Sequence, residues 1–212
     1  MSSSDYQKIF SILEQDHQET MLEQFKHYSK FQMLIATMLS SRTKDITTIP
    51  IVIEMFKKWK TPEDFLNVKD EELEKELYGI GFYKVKTKNI KKLSKMIIEE
   101  FNRIVPDTLE EMTSLPGVGR KTANCMLNYA FNKPAVAVDI HVHRISNRLG
   151  WVNTKNEPET EQELMKLISQ ELWSKVNMLL VSHGQRVCFP INPNCKECKI
   201  IEYCDHGKER KE

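Results

Sequence analysis

The sequence predicts an all-α fold, and three observations carry that prediction. Apolar residues recur at helical spacing, beginning with Phe31, Leu34, Ile35, Met38 and Leu39. No segment alternates apolar and polar residues over the length of a strand. The one candidate, Ala135-Val136-Ala137-Val138, is too short and leads straight into Asp139, a residue type suited to a helix N-cap. Finally, Gly-x-Gly turns sit between stretches of helix formers, where they separate one helix from the next.

Taken in order, the 31–39 stripe predicts one buried helix face. Pro50 would break a helix interior, so its helix is expected to begin near Thr47 or Thr48. Ile90, Leu93, Ile97, Ile98 and Phe101 give a second stripe with lysines on its outer side. Residues 122–131 contain no breaker and continue as helix from the turn before them. Leu164, Leu167 and Ile168 mark one late helix, and Trp173, Val176, Leu179 and Leu180 another. The charged tail, 207–212, is expected to be disordered. Leu77-Tyr78-Gly79-Ile80-Gly81-Phe82-Tyr83-Lys84 echoes Leu115-Pro116-Gly117-Val118-Gly119-Arg120-Lys121-Thr122, which suggests two related helix–turn–helix units.

The 212 residues suffice for one or two domains, and a net charge of +1 carries no signal for nucleic acid. The distribution does. Residues 79–96 hold six lysines (84, 86, 88, 91, 92 and 95) and no acid, beside seven acids within 62–76. That predicts one face for an anion and another for water. No apolar run approaches the roughly 20 residues of a membrane span. Five cysteines, four of them crowded near the C-terminus, do not resemble a secreted disulfide framework. An intracellular, reducing location is expected.

The most informative stretch is 115–123. A glycine turn at a helix start presents main-chain N–H groups and the positive end of the helix dipole, which suits a phosphate. Lys121 stands beside it, and Asp139 follows eighteen residues later. A neutral lysine amine is a nucleophile. A carboxylate near it can take a proton or stabilise a cationic transition state. Separately, Cys188, Cys195, Cys198 and Cys204 are separated by six, two and five residues. Four thiolates so placed suit zinc or an iron–sulfur cluster, and spacing alone does not choose. Cys125 lies in an apolar helical setting and reads as core.

The 115–148 segment resembles the signature of the helix–hairpin–helix DNA glycosylase superfamily, and specifically that of the endonuclease III family. The resemblance covers about 21–204. It implies a two-lobed fold, with a six-helix domain over 23–133 and a cluster domain formed by 1–22 with 134–212. It implies that Gly117, Val118, Gly119 and Arg120 bind the DNA backbone. Lys121 would attack the sugar C1′ and Asp139 would assist. Related adenine glycosylases lack that lysine, so its presence points to a bifunctional glycosylase and lyase. The cysteine spacing matches the family pattern for a [4Fe–4S] cluster held by all four residues.

The same resemblance places Arg42 and Phe82 where the family plugs the gap left by a flipped nucleotide. Glutamine is common at the first of these positions and leucine at the second, so this chain departs from the pattern at both. His141 matches a histidine lining the active cleft. The expected enzyme is DNA-associated and monomeric. It would remove oxidised pyrimidines from double-stranded DNA and cut abasic sites by β-elimination through a Lys121 Schiff base. The competing readings are a monofunctional mismatch glycosylase and a non-catalytic DNA-binding scaffold.

Overall fold

Capping residues, glycines and prolines set the helix boundaries, and among the described residues, 3–209 of the computed structural model, no strand forms. The helices are α1 (Ser3–Gln15), α2 (Met21–Gln24), α3 (Lys30–Ser40), α4 (Asp45–Lys58), α5 (Pro62–Asn67), α6 (Asp70–Glu76), α7 (Tyr83–Glu99), α8 (Leu109–Ser114), α9 (Arg120–Phe131), α10 (Ile140–Arg148), α11 (Glu157–Leu167), α12 (Trp173–Arg186) and α13 (Asp205–Glu209). The chain divides after Thr20 and after Asn132. Met21–Asn132 forms one compact unit, and the segments on either side of it together form another.

Met21–Asn132 holds eight helical segments, of which α2 is a single turn. Helix α3 begins at a capping box, in which Ser29 Oγ accepts from the Gln32 N–H and Gln32 Oε1 accepts from the Ser29 N–H, both at 3.2 Å. Every residue from Phe31 to Leu39 is buried, because α4, α7 and α9 all pack on this helix. The single buried stripe read from the sequence is therefore too modest for this central helix.

Helix α4 starts at Asp45, earlier than expected, and Pro50 falls in its second turn. The missing proline N–H takes a partner from the Ile46 carbonyl. Ile46 is 82% exposed, so water can replace that bond.

The lysines of α7 do not all face outward. Lys84, Lys88 and Lys92 form an exposed stripe, but Lys86 is buried. Lys91 Nζ pairs with Asp70 at 2.6 Å, and Lys58 Nζ with Glu76 at 2.5 Å. The acidic segment thus partly neutralises its basic neighbours and does not simply face water.

The two Gly-x-Gly turns are built alike. The Ile80 N–H donates to the Leu77 carbonyl at 3.0 Å, and the Val118 N–H to the Leu115 carbonyl at 3.0 Å. Gly79 and Gly117 have φ of +102° and +81°, a region in which an L side chain is strained.

The other unit packs α1 against α12. Its core holds Tyr6, Ile9, Phe10, Leu13, Trp151, Leu164, Val176 and Leu180. Tyr6 and Phe10 both meet the Trp151 ring edge-on, at 5.1 and 5.8 Å between centroids. Leu167 is 39% exposed and is not part of the buried stripe assigned to it. The 135–138 stretch is buried and belongs to no helix or strand, its Ala137 carbonyl accepting from Asn177 Nδ2 at 2.9 Å. Residues 207–209, expected to be a loose tail, belong to α13, with Gly207 packed closely on Ile201. The remainder of that tail, 210–212, lies outside the described residues.

The glycines of the second turn should differ in their tolerance of substitution. A Cβ on Gly117 would stand 2.8 Å from Asn89 Nδ2 and 3.1 Å from Met38 Cε, in addition to the strain of its φ. One on Gly119, at φ −92°, meets nothing within 4 Å. In urea unfolding, Gly117→Ala should cost about 1–2 kcal/mol or more, and Gly119→Ala should change stability by less than about 1 kcal/mol.

Candidate functional site

The hairpin joining α8 to α9 is set by local chemistry. Thr108 caps α8, its Oγ1 accepting from the Glu111 N–H at 3.3 Å, and α8 ends at Ser114 with Leu115 as its C-cap. The Val118 side chain is buried, so of the residues read as binding DNA it can offer only its main chain. Gly117, Gly119 and Arg120 are exposed. Gly119 is the N-cap of α9 and makes no side-chain cap bond, and its conformation is one any residue adopts. Nothing in the fold of this unit requires glycine there. The N-terminus of α9 carries the positive end of the helix dipole and suits an anion. Lys121 stands in that first turn, half-buried.

Asp139 belongs to the other unit and is the N-cap of α10. Its Oδ1 accepts from the main-chain N–H groups of His141 and Val142, at 2.9 and 3.0 Å. These two bonds fix the orientation of the carboxylate. His141 is the second residue of α10, and the Arg144 guanidinium reaches its Nδ1 at 3.0 Å. It also packs on α12, since a Cβ on Gly184 would stand 2.5 Å from the same nitrogen.

Arg42 and Phe82, 40 residues apart, are brought together at the ends of α3 and α7. Both are non-glycine residues in the left-handed region, with φ of +56° and +59°. The Arg42 guanidinium carbon stands 5.4 Å from the Phe82 ring centroid, within cation–π range. Phe82 is 61% exposed. Together with Met38, Ser41, Lys86, Asn89 and Gly117 they line a pocket beside the hairpin. Left-handed residues of this kind cost about 1–3 kcal/mol each and persist where their surroundings over-determine them.

The four C-terminal cysteines line one pocket, walled by Ile145, Leu149, Val187 and Ile200. Burial pushes the Cys198 thiol up to about 11 and raises Cys204 as well. Such thiols ionise readily only beside a cation, so a metal centre here would bind with release of protons. Among the described residues no three His, Cys, Asp or Glu side chains converge as they do around a single ion. Zinc and iron–sulfur clusters both accept four thiolates. The donor set fits an iron–sulfur group.

The sequence reading missed the residues that hold this loop. Arg148 donates to Cys188 Sγ at 3.2 Å, to the Phe189 carbonyl at 2.7 Å and to the Pro190 carbonyl at 2.8 Å. Arg144 donates to the Cys188 carbonyl at 2.8 Å, and His183 Nε2 lies 3.7 Å from Cys198 Sγ. The available signal was a pair of arginines four apart on one helix, ahead of a proline-bearing loop rich in carbonyls. Cys125 is buried in α9, as expected of a core residue.

Comparison with known proteins places this geometry. The family model described as HhH-GPD superfamily base excision DNA repair protein matches residues 35–170. The chain is 44% identical over 185 residues to endonuclease III of Thermotoga maritima, covering 87% of each chain. It is 42% identical to endonuclease III of Bacillus subtilis, over 87% of this chain and 84% of that one. Among solved structures, a trapped endonuclease III–DNA covalent intermediate, described as an estranged-adenine complex, superposes with a TM-score of 0.89 at 35% identity and full coverage of both chains. No helix among the described residues is long and apolar enough to cross a membrane. The chain belongs to the endonuclease III family of the HhH-GPD superfamily of base excision DNA repair proteins, a family of DNA glycosylases with abasic-site lyase activity.

Proposed function

We propose that this chain removes oxidised pyrimidines from duplex DNA and then cuts the abasic strand, with Lys121 as nucleophile and Asp139 as its carboxylate partner. The observation that carries the reading is the hairpin. Gly119 is glycine without any need of its own unit, and it opens a helix whose first turn holds Lys121. A methyl group removed from that spot serves something outside the fold, and a phosphate is what a helix N-terminus favours.

The chemistry follows from the groups. The damaged nucleotide is flipped from the stack. Arg42 and Phe82 fill the space it leaves and meet the base on the opposite strand. The neutral Lys121 amine attacks C1′, the C1′–N bond breaks, and the base departs with the bonding pair. Asp139 stabilises the positive charge that develops on the sugar. Both of its cap bonds fall on Oδ1, so the carboxylate enters the reaction already oriented. Loss of the amine proton and ring opening give a Schiff base to C1′. That cation acidifies the C2′ hydrogen; removal of the proton expels the 3′ phosphate, and water then hydrolyses the imine and frees Lys121. His141, held by Arg144, would line the same reaction space.

Cys188, Cys195, Cys198 and Cys204 would hold a [4Fe–4S] cluster. When bound it would cross-link the 188–204 loop to itself, with no bond-making in this scheme. The purified protein should contain iron and acid-labile sulfide in equal amounts, and Cys198→Ser should lower both and increase hydrogen exchange across 188–204. Zinc in place of iron would overturn this assignment.

Borohydride trapping on a duplex with one thymine glycol tests the mechanism. Wild type should form a covalent adduct, Lys121→Gln none, and Asp139→Asn should react about 10²–10⁴-fold more slowly. Base release without an adduct would point to a monofunctional glycosylase, and neither activity to a binding module. Gly119→Ala, folded normally, should weaken duplex binding about five- to thirty-fold whatever the sequence; unchanged binding would remove the hairpin from the interface.

A further inference from the structure

Helix α3 stops at Ser40, and the chain turns sharply through Ser41, Arg42 and Thr43 before α4 begins. The last carbonyls of a helix lack intrahelical partners and carry the negative end of its dipole. Here Lys86 Nζ donates to the Leu39 carbonyl at 2.9 Å and to the Ser41 carbonyl at 2.5 Å. The lysine comes from the first turn of α7 and is only 8% exposed, so water does not compete freely for those bonds. Burial lowers its pKa to about 8, which leaves the ammonium charged at neutral pH.

The same corner is held from its other side. The Gly81 N–H donates to Thr43 Oγ1 at 3.0 Å, and a Cβ on Gly81 would stand 2.8 Å from the Arg42 carbonyl oxygen. Arg42 is therefore clamped between Ser41, which Lys86 holds, and Thr43, which the first hairpin holds. Its backbone sits at φ +56°, a conformation that an arginine does not keep unaided. Lys86 and Arg42 also line one pocket, with Phe82 at its rim.

We propose that Lys86 is a positioning residue: by binding the Leu39 and Ser41 carbonyls it holds Arg42 in the left-handed turn that presents its guanidinium beside Phe82, and so sets the contact with the base left unpaired opposite the lesion. The inference rests on the reading of Arg42 and Phe82 as the groups that fill the gap. Lys86 itself touches no DNA in this account. Its replacement by an apolar residue would leave two helix-end carbonyls to find water and would free the turn to relax.

The test uses a duplex with thymine glycol opposite 2-aminopurine, whose fluorescence rises when that base loses its stacking. Single-turnover base release and the fluorescence change are measured for wild type, Lys86→Met, Lys86→Arg, Arg42→Ala and the Lys86→Met/Arg42→Ala double variant. Rates are normalised to the fraction of each protein trapped by borohydride on a single-stranded abasic oligonucleotide. That reaction has no opposite base, so misfolding cancels. Lys86→Met and Arg42→Ala should each lower both signals about tenfold, within the range that a misplaced group costs. Lys86→Arg should recover to within about twofold, since it keeps a charged double donor, and the double variant should be no worse than Arg42→Ala alone. Where Lys86→Met cannot be obtained folded, Lys86→Gln is read in the same way. An unchanged signal in Lys86→Met while Arg42→Ala is impaired would overturn the role of Lys86 and leave the gap-filling reading standing. Losses that multiply in the double variant, or failure of Lys86→Arg to recover, would also overturn it. A silent Arg42→Ala would sink the gap-filling reading and this inference together.

Discussion

The groups on which the proposed chemistry depends stand at helix ends, where main-chain N–H and C=O groups lose their intrahelical partners. Lys121 lies in the first turn of α9 and Asp139 caps α10. Arg42 follows α3, Phe82 precedes α7, and Cys188 follows α12. Each end solves its pairing problem differently. Asp139 satisfies two amides with one oxygen, and Lys86 satisfies two carbonyls with one ammonium. At α9 the N-cap is a glycine, which has no side chain to give. Fold and proposed site thus draw on the same helix-end groups.

Helix α10 ties two parts of its unit together. Its N-terminal end is fixed by Asp139, and Arg144 and Arg148 toward its other end grip the cysteine loop. Nine residues make a rod of about 13 Å. A change in the cysteine loop would be felt first by these arginines, and then by the rod whose first N–H groups orient the carboxylate. A metal centre with no bond-making role would still bear on the chemistry by this route.

What was legible in the sequence was short-range. The hairpin at 115–121 announces itself through proline, glycine and a basic pair within a few residues, and Asp139 through its place before a helix-forming run. The cysteine spacing was equally plain. What escaped depends on partners distant in the chain. Lys86 looked like one of six solvent-facing lysines because its carbonyl partners are 45 and 47 residues away. Arg148 drew no reading at all, because the 188–190 loop it holds lies about 40 residues further along the chain. Periodicity misjudged α3 for a related reason: a helix enclosed on all sides still shows an apolar stripe, and its remaining buried positions, Gln32 and Thr37 among them, read as polar. Pro50 misled because the helix accepts it in its second turn, where the carbonyl left without a bond belongs to the exposed Ile46.

The two turns with matching hydrogen bonds have separate fates. In the first, the Gly81 amide is already bound to Thr43; in the second, Gly119 faces open space. One turn braces the inside of its unit, and the other is left to meet something else.

The unit holding the cysteines is made of the first and last parts of the chain, and that has a consequence for synthesis on the ribosome. Met21–Asn132 is continuous and can fold as it emerges, since domains generally fold as units. Helix α1 emerges before it but has nowhere to dock. Tyr6, Ile9, Phe10 and Leu13 remain in water until Trp151 and then α12 have been made. Until then the nascent chain carries an undocked amphipathic segment, the kind that chaperones bind and proteases find.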